Sequence, residues 1–201
     1  MATTTPVNSS RRRFLAGSAL AAGSAASGIG ASSLLASQAV KAVASNARIV
    51  IVGAGAAGLS IATRLSRQLD GAQIALIDSR EVHLYQPGLT LVATGSWAPD
   101  HVEDKNNRYM PADTEWIKDD VVAFHPDNNQ VEVSSGERIG YDYLVVTSGL
   151  QLNFDAIDGM DPDLIGQNGI GCVYANPDHA ARTWQAAQQF VETGGVGLFT
   201  R

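Results

Sequence analysis

Four apolar residues, Ile49, Val50, Ile51 and Val52, follow Arg48 without interruption and break into Gly53-Ala54-Gly55-Ala56-Ala57-Gly58. An unbroken β-branched run is the pattern of a strand buried on both faces. The turn after it predicts a helix over residues 56–69. A second apolar run, Ile74-Ala75-Leu76-Ile77, ends in Asp78 and predicts the second strand of a βαβ unit. The pattern then loosens. Tyr85-Gln86-Pro87-Gly88 reads as a loop entering a short helix through Ala93, and residues 97–111, crowded with charged and amide side chains, read as a solvated surface loop. Val121-Val122-Ala123-Phe124 and Gln130-Val131-Glu132-Val133, joined by Pro126-Asp127-Asn128-Asn129, alternate as antiparallel strands of a β-meander. Tyr143-Leu144-Val145-Val146 forms another buried run and ends in Thr147-Ser148-Gly149. A helix capped at Asn176 and running through about Val191, then a strand over residues 195–200, complete the pattern.

The chemistry suggested by these elements begins at the first turn. Gly53 permits a tight bend, Gly55 lets the backbone approach a pyrophosphate, and Gly58 allows the helix to pack closely on the strand. The helix start then offers free N–H groups and a positive dipole end to the phosphates. Asp78 stands 20 positions after Gly58, where a βαβ unit places the carboxylate that accepts a hydrogen bond from a ribose hydroxyl. The small residues Thr147, Ser148 and Gly149 close a second strand where backbone can come near a ligand.

The residues before Ser45 change the picture of charge and place. Ser10-Arg11-Arg12-Arg13-Phe14-Leu15 is a twin-arginine signature, followed by a stretch rich in alanine, glycine and serine and by Ala42-Val43-Ala44, a small-x-small cleavage pattern. Residues 1–44 therefore read as a twin-arginine signal peptide cut before Ser45, with the export machinery as partner and the periplasm as destination. Of the 14 basic residues, Arg11, Arg12, Arg13 and Lys41 precede the cut, while all 20 acidic residues follow it, which leaves ten bases and a net charge of −10. Such a balance does not favour nucleic acid. Cys172 is the single cysteine, so the sequence as given forms no internal disulfide. His83 has no second histidine at ligand spacing, and no metal site is expected.

The glycine fingerprint, the carboxylate after the second strand, the meander and Tyr141-Asp142-Tyr143-Leu144-Val145-Val146-Thr147-Ser148-Gly149 together resemble the first half of a two-dinucleotide-domain flavoprotein of the glutathione-reductase type. The motif of that superfamily usually ends Ala-Thr-Gly, where this chain has Thr147-Ser148-Gly149. Within it, Tyr85-Gln86-Pro87-Gly88 and Gly149-Leu150-Gln151-Leu152-Asn153-Phe154 resemble sulfide:quinone oxidoreductases, and the likeness spans residues 48–201. The fold this implies is α/β: a Rossmann-type FAD-binding domain over residues 45–165 with an inserted antiparallel meander, truncated at the start of a second nucleotide-binding-like domain at residues 166–201.

The resemblance implies FAD, held by Gly53, Ala54, Gly55, Ala56, Ala57 and Gly58 at the pyrophosphate and by Asp78, Ser79 and Arg80 at the adenosine ribose. Gln86 and Pro87 approach the isoalloxazine, the backbone at Val122 approaches the adenine, and Thr147, Ser148 and Gly149 close over the cofactor. It implies two-electron oxidation of sulfide, with FAD passing the electrons to a membrane quinone. Cys172, in Gly169-Ile170-Gly171-Cys172-Val173, matches the first redox-linked cysteine of the family, since a polarisable thiolate both attacks sulfur and leaves from it. A buried structural cysteine is an equal reading. The family's partner cysteines and membrane-binding parts, through which a peripheral membrane contact is expected, lie beyond the residues given. Three alternatives stay open: a flavocytochrome c sulfide dehydrogenase-like protein, although no flavin-linking cysteine stands in the Tyr85 loop; a type II NADH dehydrogenase-like enzyme; and a non-catalytic FAD-binding fragment.

Overall fold

The computed structural model describes residues 42–200. The twin-arginine signature at residues 10–15 lies outside them. A two-residue strand, β1 (Val43–Ala44), pairs in parallel with β3 (Leu69–Asp70), so the expected cleavage point sits at the end of an exposed strand.

The central sheet has four parallel strands in the order β11 (Tyr143–Val146), β2 (Arg48–Val52), β4 (Gln73–Ile77) and β7 (Thr114–Ile117). Helix α1 (Ala56–Gln68) makes the crossover from β2 to β4. Successive strand residues point to opposite faces, and both faces are covered. Ile49, Ile51, Ile74 and Leu76 pack under Leu59 and Ala62 of α1. Val50, Val52, Ala75 and Ile77 pack instead against Val131, Val133 and Ile139. Those three come from the meander, β8 (Val121–His125), β9 (Gln130–Val133) and β10 (Arg138–Gly140), joined in antiparallel register. Burial from both sides is the reason β2 carries no polar residue after Arg48.

A smaller layer grows from the segment after Asp78. Strand β5 (Val82–Leu84) pairs antiparallel with β6 (Glu103–Lys105), and a 3-10 turn at Gln86–Gly88 leads into α2 (Leu89–Val92). Helix α3 (Pro177–Thr193) packs on it, with Ala180 against Leu89, Val92 and Val102. The Asn176 side chain caps α3 by accepting from His179 N–H at 2.8 Å, as its position before Pro177 predicts.

Three expectations give way. Residues 97–111 are not all a solvated loop: Val102 and Asn106 are each 1% exposed, the first because it joins the α2–α3 cluster and the second because its side chain bonds to Arg80 O and His83. Strand β11 is not buried as its apolar run predicts, since it forms an edge of the described sheet and leaves Tyr143 64% and Val146 53% exposed. Residues 195–200 form no strand, because nothing among the described residues pairs with them, and Phe199 is 99% exposed.

Candidate functional site

Chain order runs from β2 outward through β4 and β7, then returns to the other side of β2 as β11. That reversal opens a crevice at the carboxyl ends of the strands, the place where open α/β sheets bind ligands. Backbone bonds hold its rim: Gly53 N–H donates to Ile77 O and Thr147 N–H to Val52 O, each at 2.8 Å. The Thr147 hydroxyl donates onward to Val52 O at 2.9 Å and Gly53 O at 3.0 Å. The crevice has a volume of about 350 Å³, and Gly53, Asp78, Asp120, Val121, Phe124 and Ser148 are among its walls. Small-molecule sites run from about 300 Å³ upward, and the crevice falls within that range.

The glycines differ in what they do. Gly53 has φ +103°, a region costly for any side chain, and a Cβ there would stand 2.5 Å from Thr147 O. A Cβ on Gly58 would stand 1.9 Å from Gly53 O, so helix α1 can reach the strand only without one. A Cβ on Gly55 would meet nothing within 4 Å. Gly55 is the N-cap of α1, with no side-chain cap and no acidic residue in the first turn. Ala54, behind it, is buried, whereas Ala56 and Ala57 at the helix start are exposed. The open side of Gly55 and an uncapped helix start form a cradle suited to an anion.

Asp78 is 7% exposed at the floor of this site. Its backbone is fixed twice, by N–H donation to Ile117 O at 3.1 Å and by the Trp116 indole N–H donating to its carbonyl at 2.9 Å. Its carboxylate accepts from Ala54 N–H at 2.6 Å, and from the Arg80 N–H and guanidinium at 2.9–3.0 Å. Burial alone pushes this carboxyl up, but the Arg80 guanidinium and the two backbone N–H groups outweigh burial and hold it below the usual carboxylate range. Ser79 turns to the wall and donates to Asp120 at 2.6 Å.

The remaining candidates lie apart. Val122 falls at a β-bulge between Val121 and Ala123 and is 60% exposed, beside Val121, which lines the crevice. Gly149 has φ +80° with open space around it. Gln86 and Pro87 form the 3-10 turn before α2 and do not line the crevice, nor does Cys172. Cys172 is partly buried against α3, its N–H donating to the Thr183 hydroxyl at 2.9 Å and its carbonyl accepting from it at 3.1 Å.

Sequence reasoning passed over Asn106, Trp116, Asp120 and Phe124. Asn106 Nδ2 donates to Arg80 O at 2.8 Å, its backbone N–H donates to Glu81 O at 2.8 Å, and its side-chain oxygen meets His83 Nδ1 at 3.3 Å. It therefore pins the segment that joins Asp78 to the Tyr85 loop. Asp119 and Asp120 could have been noticed as polar residues just past the carboxyl end of a parallel strand.

Residues 47–193 match the pyridine nucleotide-disulphide oxidoreductase family. The mitochondrial sulfide:quinone oxidoreductase of Dictyostelium discoideum is 36% identical over 154 residues, 76% of this chain and 33% of that protein. Its counterpart in Mus musculus is 34% identical, again over 76% of this chain and 33% of the relative. The chain thus spans about a third of the length of the curated relatives it matches. Among solved structures, the sulfide:quinone oxidoreductase of Aquifex aeolicus superposes with a TM-score of 0.56 at 24% identity, covering 74% of this chain and 33% of that one. NDH2 of Plasmodium falciparum shares the fold with a TM-score of 0.52 at 15% identity, over 74% of this chain and 30% of its own. With a glycine cradle, a fixed carboxylate and a crevice at the strand reversal, the chain belongs to the FAD-binding pyridine nucleotide-disulphide oxidoreductase family.

Proposed function

We propose that the protein containing this chain is a sulfide:quinone oxidoreductase-type flavoenzyme that takes two electrons from sulfide and delivers them to quinone. The observation that carries the reading is the glycine turn over residues 53–58 beside the fixed carboxylate of Asp78, with Gly53 and Asp78 lining one crevice, in a chain 36% identical to a sulfide:quinone oxidoreductase. FAD, when bound, supplies a two-electron acceptor. The chain's own residues bind and orient it: residues 53–58 at the pyrophosphate, Asp78 at the ribose, Ser79 and Arg80 beside them, and Thr147, Ser148 and Gly149 over the rim. Gln86 and Pro87 border the flavin ring, and the backbone at Val122 borders the adenine. Residues 45–165 form the FAD-binding part, and residues 166–201 begin a second nucleotide-binding-like domain. Cys172 is the sulfur-handling thiol. The twin-arginine signature assigns export to the periplasm after folding, which lets the protein collect its cofactor first; further parts of the protein make the peripheral membrane contact.

The test is the visible flavin spectrum of the protein from its exported fraction, recorded anaerobically before and after sulfide. Sulfide is expected to bleach the flavin and NADH to leave it oxidised, and Cys172→Ser is expected to keep the flavin but lose the bleaching. Flavin reduction by NADH alone would overturn the sulfide reading in favour of an NADH dehydrogenase type. A chain that retains FAD but responds to neither donor would leave a cofactor-binding fragment.

A further inference from the structure

The four acceptor positions of the Asp78 carboxylate are all filled from within the chain. Oδ2 accepts from Ala54 N–H at 2.6 Å and Arg80 Nη2 at 2.9 Å, and Oδ1 accepts from Arg80 N–H at 2.9 Å and Arg80 Nε at 3.0 Å. A carboxylate offers about four lone-pair sites, so a ribose hydroxyl has to replace a member of this set. The two backbone donors are not free to leave. Ala54 is 1% exposed within the glycine turn, and the Arg80 backbone is held through its own carbonyl by Asn106. The guanidinium is different: the Arg80 side chain is 63% exposed, and Asp120 attracts it from another wall of the same crevice.

We propose that the Arg80 guanidinium occupies the ribose seat as a displaceable mimic of the ribose diol. Its Nε–H and Nη2–H present two parallel donors to the two carboxylate oxygens, as two vicinal hydroxyls would. Adenosine enters by exchanging those two bonds for its own, and Arg80 turns toward Asp120. Arg80 is thus a positioning residue that keeps the seat ionised and satisfied until the ligand arrives, and it competes with the ribose hydroxyls for the Asp78 oxygens. This rests on the dinucleotide reading of the crevice.

The test uses adenosine, which carries no phosphate and so separates the seat from the charge of the cradle, and 2′,3′-dideoxyadenosine, which lacks both hydroxyls. Each is titrated into the unaltered chain, Arg80→Met and Arg80→Lys, followed by backbone NMR shifts, with FAD titrated into the unaltered chain as reference. Arg80→Met is expected to bind adenosine about fivefold more tightly, the scale of an ion pair with one exposed partner, and dideoxyadenosine no differently from the unaltered chain. Arg80→Lys, which keeps the charge without the planar fork, is expected to fall between them. It also carries the test if thermal melting shows that the Met variant does not fold. Unchanged or weaker adenosine binding by both variants would overturn the exchange and leave the nucleotide site standing. Failure of the unaltered chain to bind either FAD or adenosine would overturn the dinucleotide reading, and this proposal with it.

Discussion

The two ends of the proposed cofactor site are built to different degrees within this chain. At the nucleotide end, Gly53, Asp78 and Thr147 come from three neighbouring strand ends and are tied by backbone hydrogen bonds of 2.8–3.1 Å. At the sulfur end, Gln86, Pro87 and Cys172 lie outside that crevice, and only the Cys172 backbone is bonded, to the Thr183 hydroxyl. Binding the nucleotide needs a short run of backbone closed on itself. Sulfur chemistry needs groups brought together across elements, and the matched segment covers only 33% of the length of those relatives.

The sharpest way to break the nucleotide end is at Gly58. Gly58→Ala puts a methyl 1.9 Å from a backbone carbonyl that cannot rotate away. An overpacking cost of about 1–3 kcal/mol is expected in urea unfolding, with FAD affinity lowered more than about tenfold. Gly55→Ala is the companion, because its methyl points into open space. Stability within about 0.5 kcal/mol of the parent is expected, with FAD affinity still reduced, since the methyl stands where the pyrophosphate approaches. Equal losses of stability in both variants would remove the distinction between a glycine kept for packing and one kept for a ligand.

The contrast between the two ends also marks what was legible in the sequence. Ile49–Val52 could be read because burial on both faces leaves no polar residue in the run, and Gly53, Gly58 and Asp78 because a βαβ unit fixes their spacing. Asn106 and Val102 could not, being single positions in a charged stretch whose burial depends on partners far along the chain. Trp116 reaches Asp78 only through the register of β7 on β4. An apolar run does not state whether a neighbour exists to cover it. For that reason Tyr143–Val146 reads as a buried strand yet lies at an edge of the described sheet, and residues 195–200 read as a strand yet pair with nothing among the described residues.

Asn106 offers a smaller break, at the joint between the ends. Asn106→Leu keeps approximate volume but leaves the Arg80 carbonyl without its donor and His83 without its neighbour. The expected loss is about 1–3 kcal/mol, with backbone NMR shifts of residues 80–85 moving in the folded state. Asn107→Leu is the control, since Asn107 is exposed, and a change within about 0.5 kcal/mol is expected there. If both variants lose the same stability, the pin at Asn106 contributes nothing particular to the loop.

The smallest effect is the one that pH exposes at Asp78. Its carboxyl is held below the ordinary value of 3.8 despite burial, because Arg80 and two backbone N–H groups bind the ionised form. A group whose folded value is depressed binds protons more readily when the chain is unfolded, so its contribution is present above the unfolded value and disappears as pH falls through the folded one. The window therefore opens near 3.8 and extends downward. The guanidinium is 63% exposed, and solvent screening limits the contribution to no more than about 1 kcal/mol. Urea unfolding from pH 6 to pH 2 is expected to show a steeper fall for the unaltered chain than for Asp78→Asn, which has no proton to gain. Arg80→Met is expected to lie between them, since Ala54 and residue 80 still donate from the backbone. Parallel pH profiles for all three would mean that the carboxylate gains nothing from its four donors. The energetic basis for Asp78 as the organising anion of the nucleotide end would then be lost.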